Sequence, residues 1–81
     1  MKVLITGGAD GLGKCLIDEL IKKNCIITCV DKDEIKLNNI NHENINKILC
    51  DLRNLNETEL LLKKIEREKY DILINNAGYE I

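Results

Sequence analysis

The sequence predicts a three-layer α/β fold, in which a sheet of four parallel strands in the order 3-2-1-4 carries helices on both faces. Two observations lead to this prediction. Four short apolar stretches of the kind buried on both faces of a sheet recur along the 81 residues, and helix-like segments separate them. A chain of this length forms one domain at most. Residues 1–81 are therefore interpreted as one unit built from right-handed crossovers.

The first thirty residues contain a strand, a helix and a second strand. Lys2–Thr6 is the first strand, and a glycine-rich turn follows it directly. Asn24 can adopt the left-handed conformation that closes a helix, so the first helix is expected to end there. The β-branched stretch Cys25–Val30 is the second strand, and Asp31 stands just past its carboxyl end. The helix is predicted from apolar residues at helical spacing after Leu12, namely Leu16, Ile17, Leu20 and Ile21.

The remaining residues are predicted to form two more strands and two more helices. Asp33–Leu37 is compatible with a short helix, and Asn46–Cys50 is the third strand. Asn56, with Glu59 three residues later, resembles a capping box and predicts the start of the third helix. The fourth strand covers Asp71–Asn75, and a loop begins after it. Strands and helices thus alternate, as a parallel sheet requires.

Composition and charge exclude several classes of function. An apolar content of 44% and a charged content of 32% are typical of a soluble globular protein. A net charge of −2 provides no basic surface, so nucleic acid is not an expected partner. No apolar stretch approaches the roughly 20 residues that span a bilayer, and no secretory signal precedes the first strand. We therefore expect no membrane partner and a cytoplasmic location.

The cysteines and the single histidine do not predict a metal site. The four cysteines lack C-x-x-C spacing, and His42 lies in a polar segment rich in asparagine. Cys25 and Cys29 are expected on one face of the second strand, and Cys50 ends the third strand. Such positions favour small buried apolar residues in a reducing compartment, with a redox role as the alternative.

The turn after the first strand carries the clearest functional signal. Gly7, Gly11 and Gly13 stand between a strand and a helix, where the backbone can approach a pyrophosphate and the helix end can stabilise its charge. Asp31 follows Gly13 by 18 positions, and its carboxylate can accept both hydroxyls of an adenine ribose. The alternative is that the glycines only tighten the turn. The strand before the turn and the helix after it favour a dinucleotide site.

Two motifs together resemble those of the short-chain dehydrogenase/reductase family. Thr6-Gly7-x-x-x-Gly11-x-Gly13 is similar to its cofactor motif, and Asn75-Asn76-Ala77-Gly78 is similar to its N-N-A-G motif. The resemblance covers the entire chain but only the opening part of a usual member. It implies that residues 1–81 are a truncated NAD(P)-binding domain, half of a Rossmann fold.

The resemblance also implies cofactor-binding roles for eleven residues. Those around the pyrophosphate and ribose are Gly7, Asp10, Gly11, Leu12 and Gly13. Those on the adenosine side are Asp31 at the ribose and Asp51 with Leu52 at the adenine ring, and those beside the nicotinamide-side ribose are Asn75, Ala77 and Gly78.

Structural alternatives stay open for several of these residues. Asp51 can simply cap the chain after a strand, and Asp10 can be a turn residue that bonds its own backbone. Asn75 and Asn76 can act as a structural clamp on neighbouring backbone. The resemblance to this family implies that Asn76 serves mainly to hold the structure and less to contact the cofactor.

Charge predicts which cofactor binds. A carboxylate at Asp31 would repel the 2′-phosphate of NADP, and Asp10 stands where members that prefer NADP often carry a basic residue. NAD is therefore favoured, and NADP is the less favoured cofactor. Lys32 is the one feature against this prediction, because a neighbouring cation can receive a 2′-phosphate.

No catalytic residue is expected in this chain. Members of the family use a tyrosine, a lysine four residues later and a serine, whereas this sequence has no serine and Tyr70 is followed four positions on by Ile74. The expected function is NAD binding without catalysis of its own. The alternatives are an oxidoreductase subunit completed by another chain, a nucleotide-sensing or interaction module, and a fragment without an independent role.

The fourth strand is also expected to mediate assembly. In the order 3-2-1-4 it has a partner on one side only, and its apolar residues include no proline or lysine that would discourage pairing. We therefore expect a homodimer through the exposed edge of this strand.

Overall fold

The computed structural model describes residues 1–9 and 11–76 and contains one parallel sheet with the predicted strand order. The strands lie in the order β3-β2-β1-β4, and each neighbouring pair is parallel. The α/β fold class is thus confirmed. The elements in chain order are β1 (Lys2–Thr6), α1 (Gly11–Lys22), β2 (Ile26–Asp31), α2 (Glu34–Asn38), β3 (Ile45–Leu49), α3 (Leu55–Glu68) and β4 (Ile72–Asn75).

Helices cover both faces of the sheet, as predicted. Because side chains alternate along a strand, Val3 and Ile5 of β1 join the apolar cluster under α1 and α2, whereas Leu4 joins the cluster under α3. Ile17 is the buried contact of α1, and Leu61 is that of α3. The three layers therefore meet along β1 and β2, whose central residues are almost completely buried.

The first strand has the predicted boundaries, whereas boundaries of the other three strands differ from the predictions by one residue, and backbone hydrogen bonds explain the difference for β2. The amide of Cys25 donates to the carbonyl of Leu20 at 3.1 Å, so Cys25 closes α1 and β2 begins one residue later. Asp31 is the last residue of β2 because it pairs with Leu49 of β3. The strands β3 and β4 likewise begin at Ile45 and Ile72. Asn24 has the predicted left-handed conformation, with φ at 60°.

The predicted capping box at the start of α3 is wrong. The helix begins at Leu55, and Asn54 caps it by accepting a hydrogen bond from the Glu57 amide at 3.1 Å. The pattern of asparagine followed three residues later by glutamate occurs twice here, and the structure uses the first copy. The reason is the preceding turn, in which the Asn54 amide donates to the Asp51 carbonyl and leaves Asn54 in an extended cap conformation.

Cys25, Cys29 and Cys50 are buried as predicted, but Cys25 precedes β2 and Cys50 follows β3, so only Cys29 lies within a strand. Cys25 and Cys29 share the cluster under α1, and Cys50 lies in the cluster under α3. Among the helices of residues 1–9 and 11–76, none has both the length and the apolar character needed to cross a bilayer. Within the same residues, no group of three histidine, cysteine or acidic side chains is arranged to hold a metal ion.

Candidate functional site

Most of the predicted site residues meet at the carboxyl edge of the sheet. The register pairs Thr6 with Val30 on one side and with Asn75 on the other, so β1, β2 and β4 end close together. The turn from β1 into α1, the end of β2 and the loop after β3 all lie at this edge, because the carboxyl ends of parallel strands share one side of a sheet. Asp10, Ala77 and Gly78 belong to the predicted set but lie outside the described residues.

The turn between β1 and α1 has a backbone that requires glycine at two positions. Gly7 and Gly11 have φ values of 68° and 56°, a region that other residues rarely adopt. Apart from its chain neighbours and the backbone of α1, a Cβ atom built on Gly11 would meet no atom of the described residues within 4 Å. There is therefore space beside the Cα atom of Gly11.

Gly13 has the opposite surroundings. A Cβ atom there would collide with the carbonyl oxygen of Gly7 and would lie 2.6 Å from Nδ2 of Asn76. The missing side chain thus lets the first turn of α1 pack directly against the glycine-rich turn. Gly8, which the sequence analysis did not single out, is similarly confined, since its Cβ would lie 2.7 Å from Sγ of Cys29. In the sequence, the position of Gly8 next to Gly7 was the feature that could have indicated this confinement.

Asp31 lies between two loops and contacts both of them. Its Oδ2 accepts a hydrogen bond from the Ala9 amide at 3.2 Å, and its Oδ1 accepts one from the Asp33 amide at 3.0 Å. A second bond, from the Gly7 amide to the Val30 carbonyl at 2.7 Å, also fastens the turn to β2. The contact between Asp31 and the glycine-rich turn was not predicted, because sequence spacing alone does not indicate which amide faces the carboxylate.

The two asparagines after β4 tie three chain segments together. The hydroxyl of Thr6 donates to Oδ1 of Asn75 at 3.1 Å, and Nδ2 of Asn76 donates to the Gly7 carbonyl at 3.0 Å. These bonds support the clamp that was considered for both residues. The predicted contact of Asn75 with a ribose stays a prediction.

Asp51 forms a local ion pair with Arg53. Its Oδ1 accepts from the Arg53 amide at 3.0 Å and from Nε at 3.1 Å, and its Oδ2 accepts from the guanidinium at 3.1 Å. The side-chain bonds from Arg53, followed by its backbone bond, lower the pKa of Asp51 to about 2. The carboxylate is thus ionised at neutral pH and can accept further hydrogen bonds, as a contact with an adenine amino group requires.

An open groove of about 610 Å³ runs beside this ion pair, between the loops that follow β2 and β3. Its charged lining comprises two cations and four carboxylates, so its net charge is negative. The lining residues are Lys32, Asp33, Glu34, Ile35, Leu49, Asp51, Arg53 and Glu57. Lys32, the residue that argues for NADP, therefore stands among acidic neighbours.

The thiol of Cys29 lies directly under the turn and is unreactive at neutral pH. Burial, followed by the nearby charge of Asp31, raises its pKa to about 11. Burial raises the pKa of Cys50 as well. Because the thiolate is the nucleophilic form, both residues behave as the small buried groups predicted from the sequence.

The ion pair between Asp51 and Arg53 predicts how the pKa of Asp51 changes when Arg53 is substituted. In Arg53→Gln the pKa of Asp51 should rise from about 2 toward its ordinary value of 3.8. Because the folded-state pKa is depressed, the stabilisation by Asp51 is present above about pH 4 and is lost as the pH falls toward 2. An NMR titration of the Asp51 carboxyl carbon measures this pKa.

Lys32→Gln provides the matched control for that titration. It removes a nearby cation whose effect on the pKa of Asp51 is the smallest of the identified causes. Its titration curve should stay close to that of the original chain. Equal shifts in the two variants would contradict the role given to the hydrogen bonds from Arg53.

Comparison with known proteins identifies the family of this chain. Residues 1–81 match the short chain dehydrogenase family. The chain is 33% identical over 81 residues to cis-2,3-dihydrobiphenyl-2,3-diol dehydrogenase of Paraburkholderia xenovorans, which corresponds to 94% of this chain and 29% of that protein. Across the curated relatives the chain spans between 24% and 34% of their length.

Two solved structures of similar fold contain nicotinamide cofactors. A short chain dehydrogenase from Leptospira borgpetersenii with bound NAD+ superimposes with a TM-score of 0.82 at 26% identity, over 99% of this chain and 32% of that one. The 4-hydroxyisoleucine dehydrogenase complexed with NADH gives a TM-score of 0.81 at 26% identity, over 96% of this chain and 34% of that one. With the family match over the full 81 residues, these comparisons show that the chain belongs to the short chain dehydrogenase family.

Proposed function

We propose that residues 1–81 bind a nicotinamide dinucleotide, prefer NAD to NADP, and perform no catalysis on their own. The observation that carries this proposal is the glycine-rich turn, which is open at Gly11, packed against α1 at Gly13 and fastened to Asp31. The NAD+ and NADH bound to the two similar structures support it. When bound, the cofactor would supply a nicotinamide ring that exchanges hydride.

The N-terminus of α1 suits the pyrophosphate. The first amides of a helix have no partner within the helix, and the helix end carries partial positive charge. The helix α1 has 12 residues, and no acidic residue lies in its first turn. We propose that the pyrophosphate and ribose are surrounded by the five residues that the family resemblance implies, namely Gly7, Asp10, Gly11, Leu12 and Gly13.

The remaining contacts are those that the family resemblance implies, and their described residues lie at or just after the ends of strands. Asp31 would accept the hydroxyls of the adenine ribose, and Asp51 with Leu52 would contact the adenine ring. Asn75 would approach the ribose on the nicotinamide side, with Ala77 and Gly78. The buried, unpaired cysteines fit a reducing compartment, so we place this chain in the cytoplasm.

The cofactor preference can be measured by calorimetry. NAD should bind more tightly than NADP by on the order of 1–3 kcal/mol, because a 2′-phosphate would lie near the Asp31 carboxylate. In Asp31→Ala most of that difference should disappear, even if both affinities fall. Asp33→Asn is the control, since it removes a charge two residues away but retains an N-cap side chain.

The ratio of the two affinities decides the outcome. Equal affinities for NAD and NADP in the original chain would refute the preference. An unchanged ratio in Asp31→Ala would assign it to another group, such as Lys32.

The purified chain should transfer no hydride to or from any alcohol or ketone. Neither a serine nor a tyrosine with a lysine four residues later occurs in the sequence, so no residue is positioned to move the proton. Absorbance at the reduced-nicotinamide band measures turnover. Activity that persists after repurification would refute this proposal, and activity that requires a second polypeptide would favour the alternative of a completed oxidoreductase subunit.

We also propose that two copies of this chain associate through β4. Within the described residues β4 pairs only with β1, so its other edge presents unpaired backbone groups. Leu73 is 61% exposed, whereas Ile72 and Ile74 pack on the cluster under α1. A second copy supplies the same apolar strand, and a twofold axis would satisfy both edges together.

Sedimentation equilibrium at micromolar concentration tests this assembly. Leu73→Lys should dissociate the dimer, because it places a charge on the apolar part of the contact without disturbing a buried residue. The control is Leu55→Lys, the same change at a leucine that is 79% exposed at the start of α3. A monomeric original chain, or equal effects of the two variants, would contradict an interface at β4.

A further inference from the structure

Both oxygens of the Asp31 carboxylate are engaged by backbone amides from different loops. Oδ2 accepts from Ala9 in the glycine-rich turn at 3.2 Å, and Oδ1 accepts from Asp33 in the loop before α2 at 3.0 Å. The residue is only partly exposed and lies at the last position of β2. The carboxylate therefore joins the turn to the strand beside it before any ligand is considered.

The middle of the turn needs such an acceptor. Ala9 is 6% exposed, so its amide would be buried without a partner if the carboxylate were removed. The bonds from the Gly7 amide to Val30 and from Asn76 to the Gly7 carbonyl fasten the beginning of the turn. The contact with Asp31 fixes the turn two residues further on, close to the start of α1.

We propose that Asp31 is a positioning residue for the pyrophosphate-binding turn, in addition to its proposed contact with the adenine ribose. This inference rests on the proposed function, since the turn is positioned for a dinucleotide. A carboxylate has about four lone-pair sites, so two remain for ribose hydroxyls after both amides are bound. An asparagine would keep one of the two bonds, because its one oxygen faces a single amide while its NH2 group faces the second donor. Alanine is therefore the substitution that removes the contact with Ala9.

The ribose-contact role and the positioning role of Asp31 predict opposite changes in the affinity for inorganic pyrophosphate when Asp31 is substituted. Inorganic pyrophosphate has no ribose, so a residue that only contacts ribose would affect it through charge alone. Loss of a negative charge should then strengthen binding of the anion. Loss of a positioning contact should weaken it, because the amides of the turn would no longer be held in place.

The experiment compares Asp31→Ala with Asp33→Asn, two variants that each remove one carboxylate charge in the same region. Calorimetry with inorganic pyrophosphate should show binding about tenfold weaker in Asp31→Ala, the loss expected for one hydrogen bond to a charged acceptor. Asp33→Asn should bind pyrophosphate as tightly as the original chain or more tightly. Equal or tighter binding by Asp31→Ala would overturn the proposal.

A measurement without ligand separates this inference from the proposed function. Hydrogen exchange of the Ala9 amide should be about tenfold faster in Asp31→Ala and unchanged in Asp33→Asn. Unchanged exchange in Asp31→Ala would overturn the positioning role even if NAD binds normally. If the original chain binds neither NAD nor pyrophosphate, the proposed function fails, and the positioning role for a pyrophosphate-binding turn fails with it. Faster exchange of the Ala9 amide in the Asp31 variant would in that case still show that Asp31 holds the turn in place.

Discussion

The carbonyl of Gly7 is the point at which the parts of this fold meet. It accepts a hydrogen bond from Asn76, which follows β4, and it lies so close to Gly13 that a side chain there would collide with it. The amide of the same residue donates to Val30 of β2. The two peptide groups that flank the Cα atom of Gly7 therefore relate α1, β2 and β4 to the end of β1. Because peptide groups are planar and their hydrogen bonds directional, this junction leaves little freedom in how α1 leaves the sheet.

Much of this architecture could be predicted because it depends on patterns that are local in the chain. The alternation of apolar strands with amphipathic helices indicated the layers, and Asn24 marked the end of α1. Boundaries were off by one residue, since a strand continues as long as its neighbour offers a partner, as Leu49 does for Asp31. The cap of α3 was placed two residues late, because Asn54 and Asn56 present the same local pattern and only the preceding turn distinguishes them.

The site was predictable in composition but not in its internal contacts. The glycines, the acidic residues and the asparagines were recognised from spacing, and the sheet brings the described ones to one edge. The bond between Asp31 and Ala9 joins residues 22 positions apart, so it depends on how the turn lies against β2. The ion pair of Asp51 with Arg53 is different, since the two residues are close in sequence and an arginine two positions after the aspartate was a usable signal. In consequence, the polar side chains at this edge are held by the protein itself, which would lower the entropy lost on binding of the proposed dinucleotide.

The contact beneath Gly8 links two positions that are distant in sequence. A Cβ atom at Gly8 would lie 2.7 Å from Sγ of Cys29 and 2.8 Å from Cδ1 of Ile17, so the three residues share one small volume. The interior is packed at the density of an organic crystal, and any gain of atoms at one of these sites must be matched by a loss at another. A larger residue at position 8 is therefore compatible with this fold only alongside a smaller one at position 29 or 17. The size of the residue at position 8 of the turn and the size of the side chains beneath it therefore depend on each other.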